Sequence, residues 1–168
     1  MSSPMKTLFV LRHAKSSWDD AGLTDIERPL NERGRGDAPR MGRLMRGRGL
    51  RPDVILCSPA ERTRQTAALL APAAGLDAAL RYDERIYEAS AGLLIDVLSE
   101  VEREAEGVLL IGHNPGVEKL IEVLTGASAR MTTAALARVT LDIDAWRDLG
   151  VGVGRLEWVV RPKELGDL

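Results

Sequence analysis

The chain holds two histidines, His13 and His113, and each stands just after a short apolar run. Arg12 precedes His13, and Arg62 follows a third such run by a few residues. A neutral imidazole is a competent nucleophile, and the covalent intermediate it forms with a phosphoryl group can be hydrolysed by water. Arginine complements it, because a planar guanidinium donates paired hydrogen bonds to phosphate and stays charged. A second imidazole adds another donor, charge-assisted when protonated. Each residue also has an ordinary reading. A histidine at a strand end is often structural, and Arg62 has Glu61 and Glu32 within reach as surface partners.

These residues need elements to bring them together. Leu8 to Leu11, Val54 to Cys57 and Val108 to Ile111 are unbroken apolar runs, as expected for strands buried on both faces. Helical spacing falls between them, over Asp37 to Arg48, Arg62 to Ala74, Ala91 to Glu104 and Pro115 to Leu124, with Gly75, Gly107 and Gly126 as stops. Leu80 to Ile86 is a weaker strand candidate; Ala135 to Ile143 and Arg155 to Arg161 are two more, joined through Asp144 to Gly154. Pro162 to Leu168 is expected to be a loose tail. Alternating strands and helices predict one α/β domain of three layers, with a mostly parallel central sheet. Ligands of such sheets bind beyond the carboxyl ends of the strands. Arg12-His13-Ala14-Lys15-Ser16, Ser58-Pro59-Ala60-Glu61-Arg62, Tyr87-Glu88 and Gly112-His113-Asn114-Pro115 would all arrive there. The amides of Asn114 and its neighbours, opening a helix, would favour an anion.

The segments Leu11-Arg12-His13-Ala14, Ser58-Pro59-x-x-Arg62-x-x-Gln65-Thr66-Ala67 and Gly112-His113-Asn114 resemble the histidine phosphatase superfamily, which includes the phosphoglycerate mutases. Ala14 stands where that family usually has glycine. Arg12 to Trp18, Pro29-Leu30-Asn31-Glu32-Arg33-Gly34 and Thr140 to Trp146 are similar to the smaller SixA-type phosphohistidine phosphatases. The resemblance covers nearly the whole chain. It implies a phosphoglycerate mutase-like fold, His13 as nucleophile, and Arg12, Arg62 and His113 around the phosphate. Lys15, Ser16 and Asn114 are further candidate substrate-binding residues. Glu88 is the nearest match to the family's general acid, and it reads equally well as an ordinary exposed glutamate. A phosphoester needs such an acid more than phosphohistidine does, since a protonated imidazole leaves readily. Phosphohistidine on a protein is therefore the favoured substrate. A small phosphorylated metabolite, or a regulatory module that binds phosphate without turnover, stays open. A mutase is disfavoured, because the chain has little room for long substrate-covering insertions.

The bulk properties narrow the setting. At 168 residues and a net charge of −2, the chain has no global attraction to nucleic acid or an anionic membrane. The chemistry calls for no metal and no cofactor. Its single cysteine, Cys57, excludes an internal disulfide and favours a reducing, cytoplasmic setting. Cys57 lies at the wrong spacing from Arg62 and Arg64 for a cysteine-dependent phosphatase, so it is expected to be a buried strand residue. Eight arginines lie from Arg28 to Arg51, interleaved with Glu32 and Asp37. That pattern fits a solvated helix face, or a docking surface for a phosphorylated protein domain. Single-stranded nucleic acid is disfavoured, since no aromatic residue lies between Trp18 and Tyr82. Trp18 is expected to pack in the core, the alternative being that it flanks a substrate beside the pocket loop.

Overall fold

Each apolar run alternates its side chains between two helical layers, which explains why the runs are unbroken. Leu8 and Val10 of the first strand face one apolar cluster, and Phe9 and Leu11 face the other. The same split divides Val54 and Leu56 from Ile55 and Cys57, and Val108 and Leu110 from Leu109 and Ile111. The computed structural model describes residues 5–166. Its strands are β1 (Lys6–Arg12), β2 (Val54–Cys57), β3 (Ala79–Tyr82), β4 (Gly107–Gly112), β5 (Leu136–Leu141) and β6 (Gly154–Val160). They form one six-stranded sheet in the order β3-β2-β4-β1-β5-β6. β3, β2, β4 and β1 run parallel, while β5 is antiparallel to β1 and β6 to β5.

The helices are α1 (Glu32–Gly47), α2 (Glu61–Ala74), α3 (Ala91–Ser99) and α4 (Gly116–Thr125). Met41 and Met45 of α1 pack with Ala67 and Leu70 of α2 on one face of the sheet. Leu94 and Leu98 of α3 pack with Val117, Leu120 and Ile121 of α4 on the other. The result is the three-layer, mostly parallel α/β architecture expected from the sequence.

Four boundaries differ from that expectation. The first helix starts at Glu32 and not at Asp37, because Asn31 caps it by accepting the Gly34 N–H at 2.9 Å. Gly34, Gly36 and Pro39 hid this first stretch. The third helix stops at Ser99, and Gly107 opens β4 instead of ending a helix. The acidic segment after Ser99 is drawn into a turn: Arg85 holds Glu100, Arg81 holds Glu102, and buried Lys6 donates to the Arg103 carbonyl. The strand expected over Leu80 to Ile86 ends at Tyr82, after which Glu84–Ile86 is a 3-10 turn. The tail is tied down through residue 166. Pro162 is buried, and Arg40 donates to the carbonyls of Leu165 and Gly166; the last two residues lie outside the described range. Among the described residues no helix is long and apolar enough to cross a membrane.

Candidate active site

Strand order brings the two histidines together. β4 lies between β1 and β2, and Arg12 is in register with Gly112. The next residue of β1's chain, His13, donates its main-chain N–H to the Gly112 carbonyl at 3.1 Å. The His13 and His113 rings consequently stand 5.2 Å apart, centroid to centroid. Arg62 enters from the first turn of α2, on the β2 side. His13, Arg62 and His113 are all buried.

His13 Nδ1 lies 2.7 Å from its neighbour's carbonyl, Ala14 O. A carbonyl only accepts, so Nδ1 carries the hydrogen and Nε2 keeps the lone pair. Burial, then the charges of His113, Arg62 and Arg12, push the His13 pKa down to about 3, against the Ala14 bond. Burial and Arg62 push His113 down to about 4, with Asp25 opposing. Both rings are therefore neutral near pH 7, His113 included, whose protonated form had been considered at the sequence level. His113 Nε2 meets Ser58 Oγ at 2.8 Å. Ser58 Oγ already accepts the Ala60 N–H, so its hydroxyl hydrogen can go to His113 Nε2, which leaves Nδ1 as the N–H.

Three buried nitrogens of this cluster have no hydrogen-bond partner among the described residues: Arg12 Nε, Arg62 Nε and His113 Nδ1. Unpaired buried donors are costly and rare. Arg12 and Arg62 are near enough for their charges to act on His13, and the His113 ring is its neighbour, so all three nitrogens belong to groups close to His13. An oxyanion is the kind of ligand such donors favour. Other nitrogens position the two arginines: Arg12 Nη1 donates to Met131 O, and Arg62 Nη1 and Nη2 donate to Asp25 O and Oδ2 at 2.7 and 3.0 Å.

The motif residues around the site hold its walls. Thr66 Oγ1 accepts the Ala14 N–H and donates to the Arg62 carbonyl, which ties the loop after His13 to α2. Gln65 accepts the Leu30 N–H, tying in the start of α1. Ala14 is fully buried among the apolar side chains of the α1–α2 face, so the methyl group in place of glycine has a packed home. Asn114 Nδ2 donates to Met131 O. Lys15 is exposed, while the Ser16 hydroxyl is buried and accepts from Arg28. Glu88, exposed and with φ 56°, lines a cavity of about 470 Å³ together with Asp25, Arg62, His113 and Asn114.

Sequence reasoning missed Asp25. Its carboxylate joins Arg62, Arg28 and the Tyr87 hydroxyl, whose ring stands edge-on to His113. The Tyr87 hydroxyl, then Arg62, hold the Asp25 carboxyl down at about 2. The available signal was the Thr24-x-x-Glu27 pattern, a capping box that fixes the short 3-10 turn Asp25–Glu27. Trp18 is not a core residue. It is largely exposed, with the buried Arg28 guanidinium stacked 3.4 Å from its ring centre. Cys57 is buried as expected, and burial pushes its thiol up to about 12, far from a reactive thiolate.

The chain is 31% identical, over 96% of its length and 80% of the relative's, to an uncharacterized chloroplastic protein of Arabidopsis thaliana. It is 39% identical over 76% of both chains to an uncharacterized protein of Mycobacterium tuberculosis. Among solved structures, a SixA protein from Nakamurella multipartitia superposes with a TM-score of 0.84 at 28% identity, covering 96% of this chain and 99% of that one. The protein histidine phosphatase SixA complexed with tungstate superposes with a TM-score of 0.83 at 27% identity, covering 95% and 99%. The model of the histidine phosphatase superfamily (branch 1) matches residues 8–134, which span both histidines and both arginines. With the fold, the paired imidazoles and this match in agreement, the chain belongs to the histidine phosphatase superfamily and is a histidine-dependent phosphatase.

Proposed function

We propose that the chain removes phosphate from phosphohistidine on a protein, with His13 as the nucleophile. The observation that carries this reading is His13 itself: Ala14 O engages its Nδ1–H, the His113 ring stands 5.2 Å away, and the charges of Arg12 and Arg62 act on it. His13 Nε2 forms a bond to phosphorus while the phosphorus–nitrogen bond of the substrate breaks and its imidazole leaves. Arg12, Arg62 and His113 stabilise the equatorial oxygens as charge shifts among them. Water then attacks phospho-His13, orthophosphate departs, and Nε2 recovers its lone pair.

The state of Asp25 favours a nitrogen leaving group. A carboxyl held near 2 is ionised at neutral pH and has no proton to give in the first step. A phosphorylated imidazole protonated on its other nitrogen needs none, whereas a sugar phosphate does. Asp25 instead positions Arg62 and the Tyr87 hydroxyl through its carboxylate. Glu88 lines the same cavity without a hydrogen-bond partner among the described residues, and its role as acid stays a candidate. Lys15 and Asn114 border the neighbouring groove and suit contacts to the substrate beyond phosphorus; Ser16 acts through Arg28. A cytoplasmic setting, with a phosphorylated protein domain as partner, fits the single buried thiol.

The test compares wild type and His13→Ala on a phosphohistidine-bearing protein, free phosphohistidine, p-nitrophenyl phosphate and common sugar phosphates. Fastest turnover of the phosphoprotein, lost in His13→Ala, is expected. Dominant turnover of a sugar phosphate would reject the substrate, and tight phosphate binding without any turnover would make the chain a regulatory module.

A further inference from the structure

A second groove of about 320 Å³, without Glu88 in its lining, is bordered by Arg12 and Lys15, the residues that flank His13-Ala14 in the chain. Arg12, Lys15, Arg33 and Arg130 line it, with Thr132 and Thr133 between them. Arg12 and Asn114 connect it to the phosphoryl site: the Arg12 charge acts on His13, and Asn114 lines both cavities. We propose that this groove binds acidic residues flanking the phosphorylated residue of a protein substrate, with Arg33 and Arg130 determining specificity. The proposal deepens, and rests on, the reading of the chain as a protein phosphatase.

The charges in the groove are unevenly matched. Lys15 and Arg130 are exposed and make no ion pair or side-chain hydrogen bond among the described residues. Arg33, with 63% of its side chain exposed, approaches only the buried Asp37, at 3.5 Å. The single carboxylate lining the groove, Glu118, is already committed: it accepts the Met131 N–H at 2.7 Å and faces the charge of Arg12. A local positive field thus persists on a chain whose net charge is −2.

The form of the groove selects the occupant. A second phosphate of a small bisphosphate is best held by buried, fixed donors, and Lys15, Arg33 and Arg130 in this groove are exposed. Here the cations are long, exposed side chains from three segments: the loop after β1, the first turn of α1, and the chain before β5. Such a row suits carboxylates spaced along an extended polypeptide, and its contribution falls as salt rises.

The experiment uses peptides carrying phosphohistidine flanked by aspartates, alanines or lysines, and the same set carrying phosphotyrosine. It is run on wild type and on Arg33→Glu/Arg130→Glu, and the readout is the ratio of kcat/KM between acidic and basic flanks. At low salt the wild-type ratio is expected to be about tenfold or more, shrinking as salt rises. The double variant should invert it, preferring lysine flanks, which loss of folding cannot mimic. A charge preference with phosphotyrosine alone would uphold the groove and overturn the phosphohistidine reading. Equal turnover of all flanks, an unchanged ratio in the double variant, or turnover of no peptide at all overturns the groove.

Discussion

His13 and His113 hold their mutual distance through the main chain: the His13 N–H donates to Gly112, the residue before His113, so the two rings sit side by side on neighbouring parallel strands. Their side chains are then oriented by different partners, the Ala14 carbonyl, which accepts from His13, and the Ser58 hydroxyl, which donates to His113. The two imidazoles therefore separate in function. His13→Ala is expected to lower kcat by roughly ten-thousandfold, because the covalent step is lost. His113→Ala should cost about 100- to 1,000-fold, the value of one preorganised donor. Acid-quenched enzyme incubated with substrate should carry a phosphoryl group on His13 in the wild type. A phosphorylated His13→Ala protein would contradict the assignment.

Acid stability should report the neutral imidazoles. In the unfolded chain a histidine titrates near 6.5, while in the fold His13 and His113 titrate at about 3 and about 4. Between those values the unfolded state binds more protons, so stability rises with pH and is lost as pH falls below about 6.5. Each histidine contributes a slope on the order of 1.4 kcal/mol per pH unit inside its window. Urea titrations from pH 7 down to pH 4 should show this slope reduced in His13→Asn. An unchanged slope would mean that the ring is protonated in the fold.

Asp25 should trade affinity against chemistry. Asp25→Asn removes a negative charge beside Arg62, so orthophosphate is expected to bind about three- to tenfold more tightly. Breakdown of phospho-His13 should slow, since Arg62 and the Tyr87 hydroxyl lose the carboxylate that positions them. Calorimetry of phosphate binding and single-turnover decay of the phosphoenzyme measure the two effects separately, and weaker phosphate binding would contradict this account.

Two glycines of α1 should respond with opposite signs. A Cβ on Gly34 would lie 2.1 Å from the Lys15 carbonyl, in the loop that follows His13, whereas one on Gly36 meets nothing within 4 Å. Gly36→Ala is expected to stabilise by about 0.5–1 kcal/mol through helix propensity. Gly34→Ala should destabilise by roughly 2 kcal/mol or more, because the neighbour it strikes is main chain. It should also lower activity by displacing the loop. Thermal melts and kcat/KM on p-nitrophenyl phosphate check both.

The strands that carry the site were legible because both faces of a central strand are apolar, and Leu8 to Leu11 or Val108 to Ile111 permit little else. His13, Arg12, Arg62 and His113 could be placed because each follows such a run or opens the next helix. Asn31 and the start of α1 were obscured by the glycines that close approach requires at Gly34. Asp25 was hidden for another reason: its role depends on a loop folding back across the sequence to Arg62 and Tyr87, and no local periodicity records that contact. Trp18 was misread because hydrophobicity alone cannot show that a buried guanidinium, Arg28, will serve as its stacking partner.

A phosphoryl site built on Arg12, Arg62 and His113 would make the enzyme sensitive to its own product. On the proposed mechanism orthophosphate meets the same groups as the reaction it ends, so it should raise the melting temperature and slow turnover over a common concentration range. In a phosphate-rich milieu the protein would be sturdier and slower at once, its working rate following the ambient anion level as well as the supply of substrate.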